Sequence, residues 1–236
     1  MSLKEIVKDS VAILIPCGGM VEPRVFQSAI VLTSYANENG YKIRQVGVTE
    51  RTLIHTARNV LARGFLETDC EWSFWMDSDM ILEARTIPAL LSWAKKLNVK
   101  LVTGVYYQRY GEHVPVILIR DEKNRSYEDV YSHTPILPPE GQKAPFKINR
   151  AGFGCMMVHR DVLVALDEPY FKYSFISDKK EFSEDFYFCM QAEQAGFELW
   201  AIPELTCGHV GQAPVITRAD CKPSKHTMPL DCVVAG

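Results

Sequence analysis

Val11-Ala-Ile-Leu-Ile15, closed by Pro16 and followed at once by Cys17-Gly18-Gly19, is the stretch that most restricts how this chain can fold. An unbroken apolar run has no polar side to turn toward water. It therefore predicts a strand covered on both faces, as in parallel α/β sheets, rather than a half-solvated surface strand. The glycine pair predicts a turn at the strand's C-terminal end, where a ligand loop can begin.

The rest of the chain alternates in a compatible way. Pro23 to Asn39 places Val25, Phe26, Ala29, Ile30, Leu32 and Thr33 at helical spacing and stops at Asn39-Gly40, a helix C-terminal signal. A strand is expected over Lys42 to Thr49. A second helix is expected over Thr52 to Thr68, with Leu53, Ala57, Val60, Leu61 and Phe65 on one side and Arg58, Asn59 and Arg63 on another. The aromatic run Trp72 to Met76 leads straight into Asp77-Ser78-Asp79. A third helix (Glu83 to Leu97) and strands over Lys100 to Tyr107 and Val114 to Arg120 follow, which predicts an α/β sheet covered on both faces. From Asp121 to Pro145 the pattern gives way to a proline-rich excursion. Beyond it come a strand over Phe153 to His159, a short helix from Arg160 to Leu166 and a charged loop from Ser177 to Ser183. A helix from Glu184 to Gly196, a strand from Leu199 to Pro203 and a segment ending at Gly208-His209 complete the pattern. One domain over 1–215 and a tail over 216–236 are expected.

Composition narrows the function classes. With 26 basic and 29 acidic side chains the formal charge is −3, so no general attraction to nucleic acid operates, and a local basic face would have to come from Lys42, Arg44, Arg51 and Arg63. No apolar run approaches the roughly 20 residues of a membrane span. Met1 to Ser10 carries Lys4, Glu5, Lys8 and Asp9 and lacks the pattern of a signal peptide. The seven cysteines (Cys17, Cys70, Cys155, Cys189, Cys207, Cys221, Cys232) are odd in number and widely spaced, with no C-x-x-C pair. These features predict a cytoplasmic protein whose thiols serve mainly as small hydrophobes, with Cys17, next to the glycine turn, set apart.

Several residues carry chemistry. Asp77 and Asp79, two apart in an extended segment, face the same way and offer hard oxygen donors to a divalent cation at the edge where α/β sheets place ligands. The competing reading is a solvated turn with Asp79 capping the next helix. Glu184-Asp185 opens a helix, where capping accounts for one carboxylate but not readily for two, so a general base beside the charged loop is the alternative. His209, next to Gly208, is a structural histidine or a further metal ligand. Arg58 and Asn59 either form a solvated helix face or reach toward a diphosphate or nucleobase. Gly152-Phe153-Gly154 reads as a tight loop leading into a strand.

In order, these segments resemble nucleotide-sugar-dependent glycosyltransferases of the GT-A fold. The resemblance rests on Ile15-Pro16-Cys17, Ala57-Arg58-Asn59, Phe74-Trp-Met-Asp77-Ser-Asp79, the glycine-containing Arg150 to Arg160, Phe182-Ser-Glu184-Asp185 with its helix, and Ile202-Pro203 followed by Cys207-Gly208-His209. It implies a Rossmann-type three-layer sandwich with a mixed, mostly parallel central sheet. It also implies a nucleoside-diphosphate sugar as donor and Mn²⁺ or Mg²⁺ held by Asp77, Asp79 and His209. Pro16, Cys17, Arg58, Asn59, Asp77, Ser78, Gly152, Phe153 and Gly154 would line the donor, and Asp185, with Glu184 as its alternate, would be the base. Cys17-Gly18-Gly19 departs from the Thr- or Ser-rich loop of many relatives. The implied acceptor is a hydroxyl of a saccharide, of a small molecule, or of a hydroxymethylated pyrimidine in DNA. A nucleotidyltransferase of related fold and a non-catalytic nucleotide-sugar-binding protein are the alternative readings; the first lacks a Gly-rich triphosphate loop bearing Arg and Lys.

Overall fold

The buried apolar run becomes the second strand from one edge of a seven-stranded sheet. The computed structural model describes residues 5–19, 21–49, 52–120, 133–177, 180–211, 215–221 and 228–229. In chain order the first half comprises β1 (Val7–Ile15), α1 (Pro23–Glu38), β2 (Lys42–Val48), α2 (Ile54–Leu66), β3 (Cys70–Trp75), β4 (Met80–Ile81), α3 (Thr86–Leu97), β5 (Leu101–Val105), β6 (Ile117–Arg120) and β7 (His133–Leu137). The second half comprises β8 (Phe146–Ile148), β9 (Arg150–Ala151), β10 (Met156–His159), α4 (Arg160–Ala165), β11 (Ser174–Ser177), β12 (Lys180–Phe182), α5 (Glu184–Gln194), β13 (Leu199–Thr206), β14 (Gly208–Val210), β15 (Val215–Ile216) and β16 (Met228–Pro229).

The central sheet runs β2-β1-β3-β10-β5-β13-β8. β1, β2 and β3 pair in parallel, β13 pairs in parallel with β5, and β10 and β8 run against their neighbours. Alternation along β1 divides its side chains between two cores. Ala12 and Leu14 join Phe65 of α2, Leu163 of α4 and Phe188 of α5, whereas Val11, Ile13 and Ile15 join Leu32 of α1 and Leu90 and Leu91 of α3. Helices thus cover both faces, giving the three-layer α/β sandwich, and each fully buried Phe or Leu contributes about 1.5–3 kcal/mol.

The helix signals act as expected. Glu22 accepts hydrogen bonds from the Arg24 and Val25 amides ahead of Pro23, and Gly40 takes φ +85° just past the end of α1. Elsewhere the structure departs from the sequence reading. The excursion holds a strand, β7, antiparallel to β6 with Pro135 opposite Leu118; its residues 121–132 lie outside the described set. The charged loop forms the β11/β12 hairpin, with 178–179 also outside the described set. β13 continues through Pro203 to Thr206, its register against β5 shifting between Ile202 and Thr206. Within 216–236, Ile216 pairs with His209 and Met228–Pro229 lies parallel to β7. No helix among the described residues is long and apolar enough to cross a membrane.

Candidate active site

Strands β1, β2 and β3 end at the same edge of the sheet, and the sequence-predicted residues gather there. The β1 turn is anchored by a hydrogen bond from the Cys17 amide to Thr49 Oγ1 at 3.0 Å. Pro16 and Cys17 are buried, the Cys17 thiol faces the Gly19 carbonyl, and Gly18 and Gly19 are exposed with open space above them. Cys17 is therefore a buried hydrophobe in the wall of the turn.

Arg58 was expected on a solvated helix face or against a ligand; instead its side chain is only 3% exposed. Its guanidinium lies 3.0 Å from Asp77 Oδ1, 2.5 Å from Glu184 Oε1 and 4.0 Å from Asp185 Oδ2. The aromatic rings of Phe153 and Phe171 lie beneath it, at 5.3 and 5.9 Å. One cation thus ties the turn after β3 to the first turn of α5. The carboxylates hold Arg58 more firmly protonated than an ordinary guanidinium, against the cost of burial. Asn59 is also committed within the fold. Its side-chain amide donates to the carbonyls of His55 (2.8 Å) and Phe171 (2.7 Å), and its oxygen accepts from the Phe171 amide. It pins the chain that supplies Phe171, with both amide N–H donors used in this arrangement.

Asp185 is partly exposed and accepts hydrogen bonds from the Ser183 hydroxyl and the Phe186 amide. Burial and the neighbouring Glu184 charge push its pKa up to about 6, with Arg58 and these hydrogen bonds pulling the other way. Glu184 is buried, and its charge adds to burial in raising the pKa of the Tyr173 hydroxyl.

Asp79 sits on the far side of the turn. Pairing of β14 with β4 sets His209 opposite Met80 and brings its Nε2 to 3.3 Å from Asp79 Oδ2. His209 Nδ1 lies 2.8 Å from the Tyr107 carbonyl, an acceptor only, so Nδ1 carries the proton. In the neutral ring the Nε2 lone pair then faces a carboxylate lone pair, an arrangement that needs a proton or a cation between the two. Burial opposes the imidazolium, but Asp79 and the Tyr107 carbonyl outweigh it and raise the His209 pKa. An oxygen donor beside an imidazole oriented by a backbone carbonyl fits a divalent cation. Among the described residues no third His, Cys, Asp or Glu converges with them. Arg109 fills the remaining side, 2.7 Å from Asp79 Oδ2.

Gly152-Phe153-Gly154 occupies the layer below. All three are buried, and Phe153 packs against Trp75 and Phe171. A Cβ on Gly152 would lie 1.9 Å from the Tyr106 hydroxyl, and one on Gly154 would lie 2.9 Å from Tyr106 Cζ, so both glycines make room for Tyr106. Tyr106 in turn accepts the Gly154 amide and meets the His209 ring edge-on at 5.7 Å. We expect Gly152→Ala to cost about 1–3 kcal/mol in urea unfolding, with partial recovery in the Gly152→Ala/Tyr106→Phe double variant, which removes the clashing oxygen.

Sequence reasoning gives Ser183 no site role and takes Tyr106 to His113 only as part of an acceptor site, because the contacts of Arg109 with Asp79 and of Tyr106 with the glycines span at least 30 residues. Ser183 did stand in the N-cap position, but its hydroxyl bonds Asp185 rather than a backbone amide.

No family model matches this chain, and no curated protein matches its sequence. Solved structures do share its fold. A197 from STIV superposes with a TM-score of 0.58 at 17% identity, over 93% of this chain and 96% of A197. GalNAc-T7, solved with UDP, GalNAc and Mn²⁺, superposes with a TM-score of 0.53 at 13% identity, over 92% of this chain and 46% of its own. At such identities the likeness is one of fold, and it agrees with the GT-A-like α/β architecture described above.

Proposed function

We propose that this protein is a divalent-metal-dependent glycosyltransferase that moves a sugar from a nucleoside-diphosphate sugar to a hydroxyl acceptor. The observation that carries the reading is the Arg58 tie, which sets Asp77, at the strand end suited to a nucleotide, beside the Glu184-Asp185 helix start suited to a base. GalNAc-T7, of similar fold, was solved with UDP, GalNAc and Mn²⁺, which supports both the donor class and the cation.

In this reading Asp79 and His209 hold Mn²⁺ or Mg²⁺, and Asp77 and Ser78 lie by the ribose or the metal. The exposed turn that follows Pro16 and Cys17 faces the nucleotide. Bound there, the cation would neutralise charge growing on the leaving diphosphate. Arg58 and Asn59 support the site from below, and Gly152, Phe153 and Gly154 form its floor. Asp185 accepts the acceptor's hydroxyl proton as that oxygen bonds to the anomeric carbon. The bond from that carbon to the diphosphate breaks, and the diphosphate leaves with the electron pair. Of the basic residues considered for DNA, Lys42 is exposed, Arg51 lies outside the described residues, and Arg44 and Arg63 are paired with Asp69 and Glu168. The two ion pairs lower the free positive charge of that face and favour a saccharide or small-molecule acceptor.

The test is a thermal-shift screen of nucleoside diphosphates and nucleotide sugars, each with and without Mn²⁺ or Mg²⁺. A ligand at 100 times its Kd adds about 2.7 kcal/mol, so a metal-dependent rise in Tm with one nucleotide sugar is expected. No shift with any donor would overturn the reading. A shift with a nucleoside triphosphate, accompanied by pyrophosphate release, would replace it with nucleotidyl transfer.

A further inference from the structure

Arg109 occupies the place beside Asp79 that a cation would take. It stands in the tip between Tyr107 and Pro115, which face each other across an antiparallel bridge, and the tip is closed by a hydrogen bond from the Gln108 amide to the Val114 carbonyl. Its guanidinium donates to Asp79 Oδ2 at 2.7 Å and lies over the Tyr110 ring at 4.8 Å. The oxygen it engages is the one facing His209 Nε2. The hold is only partly buried: the Arg109 side chain is 38% exposed and Tyr110 is 58% exposed, while Arg109 Nε is buried without a hydrogen-bond partner among the described residues. Contrast Arg58, which is buried and engaged by carboxylates from two elements. The tip also has its own pivots, Gly111 at φ +77° and His113 at φ +52°.

We infer that Arg109 is a tethered stand-in for the divalent cation: it holds Asp79 in place while the site is empty of metal, and is displaced, with the tip 108–113, when metal binds. The inference rests on the assignment of Asp79 and His209 to the cation. A carboxylate oxygen already donated to by a guanidinium must exchange that partner for the metal, and the nearby positive charge repels the incoming ion. Binding of metal to the donor-free protein is therefore weaker than the ligands alone would give. The released guanidinium is left next to the position of the leaving diphosphate, an anion it is suited to receive.

The experiment titrates donor-free protein with Mn²⁺, following free Mn²⁺ by electron paramagnetic resonance, for the wild type, Arg109→Gln and Asp79→Asn. Arg109→Gln is expected to bind about three- to tenfold more tightly than the wild type, as befits loss of a half-exposed ion pair. Asp79→Asn is expected to lose the site. Hydrogen exchange at 108–113 of the wild type should quicken on adding Mn²⁺. Equal or weaker binding by Arg109→Gln, or unchanged exchange, overturns the inference while leaving the cation assignment intact. Absence of saturable Mn²⁺ binding in both the wild type and Arg109→Gln, or full binding by Asp79→Asn, overturns the two together.

Discussion

Asp79→Asn is expected to reduce sugar transfer about 1,000-fold at saturating Mn²⁺ while leaving stability within about 1 kcal/mol of the wild type. The two expectations belong together because of where Asp79 sits. It is a partly exposed carboxylate on a turn, and its shape is kept by the amide. His209 and Arg109 hold its pKa below the ordinary carboxylate value even though burial alone would raise it. The charge is thus fully present near neutrality and is what a divalent cation would use. An asparagine retains one neutral oxygen donor but cannot offset the cation's charge, so the leaving diphosphate loses the electrostatic help that grows toward the transition state. Transfer assays at several Mn²⁺ concentrations, with urea unfolding in parallel, check both parts. Full activity in Asp79→Asn would remove this residue from the metal site. Activity lost together with several kcal/mol of stability would mean the carboxylate is structural.

The parts of this fold legible in sequence are those specified locally. The β1 run, the start of α1 at Pro23 and its stop at Asn39-Gly40 all lie within a residue or two of their observed places apart from the longer N-terminal reach of β1. The Asp77-Ser78-Asp79 turn also follows directly from an aromatic strand ending in polar residues. What could not be read was whatever depends on partners distant in sequence. On a helical wheel Arg58 and Asn59 belong to the polar side, and a polar side is ordinarily solvated. Here that side is covered by the start of α5 and by the Phe171 segment, and the ion pair that compensates Arg58 comes from Glu184, 126 residues away. Conversely, Leu53 and Val60, read as part of the apolar face, are exposed. Proline misled in a different way. Pro135 discourages a strand yet stands in one, and Pro203, read as the end of a strand, is followed by Glu204 to Thr206 in the same strand, because tertiary pairing overrode the local preference. The Arg109 contact carries no sequence signal, since an arginine near a surface turn is ordinary.

The largest loss of stability is expected from Arg58→Met. The side chain is of comparable length and apolar, so it fills much of the space above Phe153 and Phe171, and the change is dominated by charge rather than by a cavity. Removing one member of a buried ion pair leaves the other desolvated and uncompensated, at a cost of about 3–5 kcal/mol. Glu184 is the member left in that state, since its side chain is 5% exposed while Asp77 and Asp185 reach water. Adding Glu184→Gln should therefore restore part of the loss, and urea unfolding of the two single variants and the double variant measures the coupling. The same variant bears on the chemistry. Asp185 has a pKa pushed up to about 6 by burial and Glu184, with Arg58 acting against the rise. Without Arg58 it must go higher. A base works only when ionised, so kcat/KM of the wild type should fall as pH drops through about 6, and in Arg58→Met that acid limb should lie at higher pH. Stability lost without movement of the limb would confine Arg58 to the fold. Movement of the limb in Arg58→Met, measured where the variant is fully folded, would show that one buried guanidinium both joins the two halves of the site and sets the working range of its base.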